Sequence, residues 1–285
     1  MIEPHPSALA VLSTVPLTCR NLFAALPEGP AADLAAELDP TDVPIDRDAL
    51  LDAAREEAER HGHAYVLRED VVLGWVRLTG SRVEHARIRL QALIADRAHA
   101  SYLALRPTDP HAHPTAVLVA GIPGCGKSTL AESLARHLRA PVFSMDWLLG
   151  ALVPFRVLTQ DNATPIADVQ VTAATARQLQ LGLSVVLDAT GHTREARDRL
   201  RTLTEALGGR FVGVECVCTD DQVLRERVEG RARGIPGWHD TVEWEHVLRM
   251  RDLWEPWTEP HLVIDSATTS PEEALRQALS RCAGP

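Results

Sequence analysis

The spacing of apolar and polar residues changes partway along the chain. In the first part, apolar residues recur at helical spacing, as in an acidic amphipathic segment at 48–61 and a longer one at 81–105. In the second part, short apolar runs alternate with helical patterns, which is typical of a parallel sheet with crossover helices. We therefore predict an α/β domain at residues 111–285, preceded by a mainly helical accessory domain at residues 1–110.

Turn and cap signals give approximate bounds to the elements. The predicted strands are 115–120, 141–144 with Asp146 at its end, 184–187 with Asp188 at its end, 211–217 and 261–264. The predicted helices of this half are 127–138, 165–181, 193–207, 220–231, 240–254 and one that starts at 270. Gly182 and Gly208 are predicted to end the helices before them.

The elements of the first half have weaker signals. Residues 65–75 fit a strand or a helix, and the helix at 81–105 starts with a capping-box pattern of Ser81 and Glu84. Residues 106–114 contain three prolines and are predicted to be a linker. His111 and His113 lie in it, and a proline-flanked surface linker explains them better than a metal site.

Composition restricts the class of protein. With 45% hydrophobic and 24% charged residues, the 285-residue chain is typical of a globular protein. There is no run of 18 apolar residues and no basic segment followed by an apolar block at the N-terminus, so we expect neither a membrane span nor a secretion signal. The five cysteines lack framework spacing, which predicts reduced thiols and a cytoplasmic protein, with Cys216 and Cys218 in core packing rather than in a metal site.

The charge balance bears on the partners. The formal net charge is −10, and residues 1–110 carry 11 arginines against 17 carboxylates. Proteins that hold a long nucleic acid usually show a basic stripe, and none is visible here. A nucleic-acid substrate is therefore disfavoured.

Lys127 is the one lysine among 29 basic residues. It lies in the segment 121–128, GIPGCGKS, which matches the phosphate-binding pattern G-x-x-x-x-G-K-[ST]. An ammonium on a flexible stem reaches between phosphate oxygens, whereas a guanidinium is larger and planar. Compositional bias with a chance lysine is the alternative, and the strand before and the helix after the motif argue against it.

The motif predicts a nucleotide site. Its glycines let backbone N–H groups point at anionic oxygens, and the helix N-terminus adds partial positive charge. Ser128 is predicted to offer its hydroxyl to Mg²⁺. The predicted nucleotide-binding residues are Gly121, Ile122, Pro123, Gly124, Cys125, Gly126, Lys127, Ser128 and Thr129.

Two carboxylates follow predicted strands. Ligands of open parallel sheets bind beyond the carboxyl ends of the strands, so Asp146 and Asp188 are predicted beside the phosphate loop. One of two such carboxylates can accept the proton of an attacking hydroxyl while the other holds Mg²⁺. The alternatives are a helix N-cap for Asp146 and a turn-forming role for Asp188.

Arginines and tryptophans cluster toward the C-terminus. Arg227, Arg231 and Arg233 recur at one helix end and could neutralise charge on a transferred phosphoryl group. The alternative is a solvated helix face that pairs with Glu226 and Glu229. Four tryptophans, Trp238, Trp244, Trp254 and Trp257, could form an aromatic wall, although packing against the sheet explains them better.

Residues 115–285 resemble the P-loop kinases related to polynucleotide 5′-hydroxyl kinase and chloramphenicol phosphotransferase. The matching segments are 121–129, 144–146, 185–190, 224–231 and 262–265. The resemblance implies a P-loop kinase-like three-layer sandwich that uses ATP and Mg²⁺, with Asp146 as general base and an arginine lid of Arg227, Arg231 and Arg233. Asp188 is predicted beside the metal from its place at a strand end and not from the resemblance. The resemblance does not extend to residues 1–110.

Other phosphate-loop classes fit less well. The sequence has no Asn-Lys-x-Asp guanine-reading motif and no Leu-Ser-Gly-Gly transporter signature. Ala189 and Thr190 follow Asp188, where a water-activating ATPase would have a glutamate.

The sequence thus predicts an ATP-dependent phosphotransferase that acts on a hydroxyl of a small molecule, such as an antibiotic or a nucleoside-like metabolite. The alternatives are a 5′-hydroxyl nucleic-acid kinase and a nucleotide-dependent regulatory or toxin-like protein. Residues 1–110 could cover the acceptor site, mediate homodimerisation or bind a partner protein. The acceptor, the oligomeric state and the choice of ATP over GTP stay open.

Overall fold

The structure is a computed structural model, and it describes residues 2–14, 17–38, 43–80, 83–159, 162–230, 234–237 and 242–283. The chain divides into two compact units: residues 1–98 with 155–165, and residues 99–154 with 166–285. The domain boundary near residue 110 that the sequence pattern suggests stays a prediction.

The first unit is built from helices. They are α1 (Pro6–Leu12), α2 (Cys19–Ala24), α3 (Pro30–Ala36), α4 (Arg47–His61), α5 (Arg68–Leu78) and α6 (Val83–Leu103), the last of which continues into the second unit. The ambiguous segment at 65–75 is therefore mostly helical. Ser81, the predicted cap of α6, lies outside the described residues.

Helices α4 and α5 pack closely at the centre of this unit. A Cβ added to Gly74 would lie 2.8 Å from the backbone nitrogen of Ala54, so only glycine permits this approach. Arg87 of α6 donates two hydrogen bonds, of 2.7 and 2.5 Å, to the buried carboxylate of Glu57. Burial alone would raise the pKa of Glu57, but the hydrogen bonds from Arg87 hold that pKa below its usual range. The Glu57 carboxylate therefore stays ionised in the core, paired with Arg87.

The second unit alternates strands and helices. Its strands are β1 (Thr115–Ala120), β2 (Val142–Ser144), β3 (Val185–Ala189), β4 (Arg210–Val217) and β5 (Leu262–Asp265). Its helices are α7 (Lys127–Leu138), α8 (Met145–Gly150), α9 (Ala163–Gln180), α10 (Arg194–Ala206), α11 (Asp221–Glu229), α12 (Trp244–Asp252) and α13 (Pro271–Ala283), with one 3₁₀ turn at Val153–Phe155. Phe155 at the end of the 3₁₀ turn and residues 163–165 at the start of α9 belong to the first unit.

The five strands found in the described residues form one parallel sheet in the order β2-β3-β1-β4-β5. Strand β1 lies at its centre, and Ala116–Ala120 are all fully buried. Val117 and Val119 pack on one side with α7 and α13, and Leu118 packs on the other side with α9 and α10. Helices thus cover both faces of the sheet, and the predicted three-layer P-loop kinase-like α/β fold is confirmed.

One element departs from the predicted pattern. Strand β2 ends at Ser144, and α8 begins at the next residue with Ser144 as its N-cap. Asp146 therefore lies in the first turn of a helix, and it is neither the last residue of the strand nor the helix cap. The sequence pattern does not predict α8, because a three-residue strand and a six-residue helix are both too short to show a period.

The cysteines and the hydropathy of the helices can be compared with the sequence predictions. All five cysteines are free thiols, and Cys216 and Cys218 are buried among apolar side chains. Within the part of the chain that the structure describes, no helix is long and apolar enough to cross a membrane.

Candidate active site

The phosphate loop joins the buried end of β1 to the start of α7. Gly121 follows β1 at φ +154°, and a Cβ there would lie 2.4 Å from Sγ of Cys125 and 2.5 Å from the carbonyl oxygen of Cys216. Gly126 adopts φ +90° immediately before Lys127, the first residue of α7. Glycine is needed at both positions, since a side chain would clash at the first and strain the backbone at the second.

A third glycine of the loop meets another helix. A Cβ at Gly124 would lie 2.7 Å from Cγ2 of Val228 and 2.8 Å from Cδ1 of Leu224, both on α11. Helix α11, which also carries Arg227, thus packs directly on the phosphate loop.

The phosphate loop ends in a buried lysine. Lys127 is only 8% exposed, and Ser128 follows it in the first turn of α7. Below them, burial raises the pKa of the thiols of Cys125 and Cys216, so both are neutral and carry no charge to the site. The free N–H groups at the start of a helix and the ammonium together favour a bound anion.

The two predicted carboxylates lie at one edge of the sheet. Asp188 in β3 is in register with Ser144 of β2 and with Val119 of β1, and Asp146 comes two residues after Ser144. Asp188 is 7% exposed, and its Oδ1 atom is buried with no hydrogen-bond partner. A buried carboxylate oxygen without a partner is well suited to a hard cation such as Mg²⁺ or to a water that the cation holds.

These groups share one cavity of about 390 Å³. Its polar lining includes Lys127, Ser128, Glu132, Asp146, Asp188 and Arg227, and its apolar lining includes Val142, Trp147, Val228, Ile235 and Val242. The sequence motifs at 121–128, 144–146, 185–190 and 224–230 thus converge in space, although the roles of their residues stay predictions.

Arg227 is held in place at the wall of this cavity. Its guanidinium donates a 2.8 Å hydrogen bond to Oγ of Ser266 and a 3.0 Å bond to the carbonyl oxygen of Ser266. Arg225, in contrast, pairs with Glu229 on the exposed face of α11 at 2.7 Å. Arg227 is exposed as well, but its guanidinium contacts Ser266 and not Glu226 or Glu229. Arg231 and Arg233 lie outside the described residues.

A second cavity of about 750 Å³ also borders the phosphate loop, at Gly124, Cys125 and Gly126. Gly124 and Arg227 line both cavities, so the two meet at the phosphate loop. The walls of the second cavity include Leu130, Ile264, Ser266, Thr269, Pro271 and Ala274.

The tryptophans divide between packing and the site. Trp257 stacks on His261 with a ring-centroid distance of 4.5 Å and lies under the guanidinium of Arg197, so it packs against the sheet. Trp244 and Trp254 also pack against apolar clusters, and Trp238 lies outside the described residues. Trp147, which the sequence did not single out, is 55% exposed and lines the first cavity. Trp147 could have been predicted as a site residue because it directly follows Asp146 in the sequence.

Residues 117–256, somewhat less than half of the chain, match the family model described as an AAA domain. The matched segment begins in β1, contains the phosphate loop, Asp146, Asp188 and Arg227, and ends after α12.

Curated relatives match a similar part of the chain. The rat 6-phosphofructo-2-kinase/fructose-2,6-bisphosphatase 1 is 25% identical over 142 residues, which are 45% of this chain and 30% of that protein. An uncharacterised protein of Mycobacterium tuberculosis is 33% identical over 135 residues, which are 44% of this chain and 27% of that protein. The chain thus spans less than a third of the length of these relatives.

Solved structures with a similar fold cover a larger share. A gluconokinase from Sinorhizobium meliloti is 22% identical, covers 60% of this chain and 92% of its own, and has a TM-score of 0.43. Kti12 from Chaetomium thermophilum in complex with ADP-AlF3 is 17% identical, covers 60% of this chain and 97% of its own, and has a TM-score of 0.47. The strand order and the loop between β1 and α7 define the second unit as a P-loop kinase-like domain.

Proposed function

We propose that the chain is an ATP- and Mg²⁺-dependent phosphotransferase that moves the γ-phosphoryl group to a hydroxyl of a small molecule. The observation that supports this most directly is the lining of the first cavity. It contains one ammonium, one guanidinium and the carboxylates of Glu132, Asp146 and Asp188. Cations and N–H groups would hold the phosphates, while a carboxylate beside them can take a proton. This is the set of groups that phosphoryl transfer requires.

The reaction would proceed by direct transfer. Asp146 accepts the proton of the acceptor hydroxyl while the hydroxyl oxygen forms a bond to the γ-phosphorus. At the same time, the bond between the γ-phosphorus and the β,γ-bridging oxygen breaks. Nucleoside diphosphate leaves with the bridging oxygen. Lys127 and Arg227 stabilise the charge that spreads over the phosphoryl oxygens, as do the loop amides, and Arg231 and Arg233 are proposed to join them.

The metal has a defined place in this proposal. Ser128 and Asp188 are the residues that would hold Mg²⁺, and the buried Oδ1 of Asp188 is the atom that lacks a partner in the protein. When bound, Mg²⁺ lowers the charge on the phosphate oxygens.

The two cavities divide the substrates between them. The phosphate chain would lie along the loop at 121–129, which borders both cavities, with the nucleoside in the larger one against Ile264 and Ala274. The acceptor would then enter the smaller cavity, beside Asp146 and Trp147. A volume of about 390 Å³ suits a small molecule and is at the lower end of typical ligand pockets.

The comparisons and the charge add support. The rat relative is named as a kinase, although the match covers less than a third of it. The net charge of −10 disfavours a polynucleotide acceptor. The closer relation to polynucleotide 5′-hydroxyl kinase and chloramphenicol phosphotransferase, the antibiotic or nucleoside-like acceptor and a cytoplasmic location are parts of the proposal.

The test is a thermal-shift screen of hydroxylated metabolites and antibiotics on the full chain with Mg²⁺ and a non-hydrolysable ATP analogue, followed by transfer assays with labelled ATP. Ligands that bind the native state raise its melting temperature by mass action. We expect acceptor-dependent transfer that Lys127→Ala abolishes while the circular dichroism spectrum stays unchanged. Undiminished transfer by Lys127→Ala would contradict the proposal.

The two alternatives have distinct outcomes in the same assays. Phosphorylation of a 5′-hydroxyl oligonucleotide would show that the acceptor is a nucleic acid and not a small molecule. The proposed transfer of the γ-phosphoryl group to a hydroxyl would still hold. ATP hydrolysis without any acceptor, together with a stable partner protein, would instead indicate a nucleotide-dependent regulator.

A further inference from the structure

The first unit contains a group of three potential metal ligands away from the phosphate loop. His61, His63 and Asp70 each offer one ligand atom, and these atoms lie within 4.8 Å of one another. Among the described residues, no other group of three or more histidine, cysteine, aspartate or glutamate side chains meets this distance. Two imidazoles and one carboxylate are ligands that Zn²⁺ commonly takes in proteins.

The backbone fixes all three positions. Helix α4 ends at His61, and Gly62 follows at φ +70°, a conformation that favours glycine. The N–H of His63 then donates to the carbonyl oxygen of Ala58 at 2.9 Å, which completes a Schellman turn and brings the two imidazoles to a centroid distance of 5.5 Å.

Asp70 is fixed from the other side. It is the third residue of α5, it is fully buried, and its Oδ2 accepts a 2.8 Å hydrogen bond from the N–H of Leu67. That capping bond aims the carboxylate back at the two histidines. The end of α4 and the start of α5 therefore present their side chains to one point.

The state of His61 points to a missing ligand. Its side chain is only 4% exposed, and both ring nitrogens are buried without a hydrogen-bond partner. Its Nδ1 lies 3.6 Å from Oδ1 of Asp70, whereas Nδ1 of His63 lies 2.9 Å from Oδ2. If only His63 and Asp70 form a pair, the buried imidazole of His61 has no hydrogen-bond partner. Buried polar side chains without a partner are rare in native proteins.

We infer that His61, His63 and Asp70 form a binding site for one Zn²⁺ ion that ties the end of α4 to the start of α5. The three ligand atoms lie within 4.8 Å of one another, and zinc bonds of about 2.0–2.2 Å require shorter distances between them. Rotation of the side chains can shorten these distances. His63 is 32% exposed, so a water molecule can complete the coordination from the solvent side.

The site is tested by zinc binding to the full chain. Metal is first removed with a chelator, and Zn²⁺ is then titrated in competition with a chromophoric chelator. We expect one ion per chain, with affinity reduced by more than ~100-fold in His61→Ala, since loss of even an outer-shell partner commonly reduces affinity 10–100-fold. His85→Ala, which removes an exposed histidine of α6 in the same unit, should bind as the wild type does.

Three further measurements assign the zinc to this site. Asp188→Asn should retain the ion, which separates the three-ligand group from the phosphate-loop cavity. His63→Ala provides a second ligand variant in case His61→Ala fails to fold. Zn²⁺ should also raise the melting temperature of the wild type and leave that of either ligand variant unchanged. Equal zinc affinity in the wild type, His61→Ala and His63→Ala, or no zinc binding by the wild type, would overturn the site.

Discussion

Asp146 is the residue on which the proposed chemistry depends most. It lies in the first turn of α8 and lines the cavity that Lys127 and Asp188 also line. Asp146→Asn keeps the shape but removes the proton acceptor, so kcat should fall by ~10²-fold or more with little change in the KM for ATP. Steady-state transfer with an acceptor from the screen measures this. Near-normal turnover in Asp146→Asn would exclude a role as general base.

His99 carries a prediction about pH and stability. Burial and the nearby Arg199 lower the pKa of His99 from 6.5 to about 4, and Nη1 of Arg199 lies 2.7 Å from its Nε2. Because the pKa of the folded state is depressed, stability is fully present above the unfolded pKa of 6.5. It declines as pH falls from 6.5 toward 4, when the unfolded chain takes up the proton first.

The variant His99→Gln isolates this contribution. The glutamine side-chain oxygen can accept the hydrogen bond from Arg199 but does not titrate. As the pH falls from 6.5 to 4, the free energy of unfolding should therefore decrease by about 2 kcal/mol less in the variant than in the wild type. Urea unfolding at several pH values measures the difference. His137→Gln, at an exposed histidine of α7, should follow the wild type. Parallel curves for the wild type and His99→Gln would contradict the assignment.

Individual residues also mark what could and could not be predicted. The phosphate loop, Asp146, Asp188 and Arg227 were predicted because each lies in a short motif or at a strand end. Trp147 and the group of His61, His63 and Asp70 were not. The latter depends on the turn at Gly62 and on the capping bond of Asp70, and neither follows from spacing along the chain.

At the scale of elements, contact between the phosphate loop and α11 matters most. Gly124 has φ +86°, and a Cβ there would lie within 2.8 Å of both Leu224 and Val228. Gly124→Ala should therefore displace α11 together with Arg227 and weaken nucleotide binding by 10-fold or more, an order-of-magnitude effect of about 1.4 kcal/mol. Calorimetric titration with a non-hydrolysable ATP analogue measures it.

Gly80→Ala is the matched control for that substitution. Gly80 also has a positive φ, of +69°, but no heavy atom lies within 4 Å of the added Cβ. It should lower stability by about 1 kcal/mol through backbone strain alone and leave nucleotide affinity unchanged. If Gly124→Ala binds nucleotide as tightly as Gly80→Ala does, then contact with α11 does not position the loop.

The elements of the second unit were largely predictable, for a physical reason. Strand β1 is apolar after Thr115 because both its faces are covered by helices, and such strands stand out between glycine-rich turns. Gly182 and Gly208 follow α9 and α10 with positive φ, as predicted for helix ends. The segment at 65–75 stayed ambiguous because Val71 and Val72, which favour strands, are buried in α5 by tertiary packing.

At the scale of the whole molecule, nucleotide binding should be visible as stability of the folded chain. If ATP binds at the phosphate loop, an excess of 100 times its Kd adds about 2.7 kcal/mol to the free energy of unfolding. For a chain of this size, that corresponds to a rise in Tm of about 5 °C or more. Differential scanning calorimetry with Mg²⁺ and a non-hydrolysable ATP analogue measures this shift.

Two variants of α7 make the shift specific. Lys127→Ala removes the buried ammonium and should abolish the shift, whereas Arg136→Ala removes an exposed cation that pairs with Glu132 at 3.1 Å and should leave it intact. Both substitutions remove one positive charge, so a non-specific attraction of the anionic nucleotide would weaken equally in the two. If both variants lose the Tm shift equally, nucleotide binding is due to surface charge. The phosphate loop would then not have the proposed role.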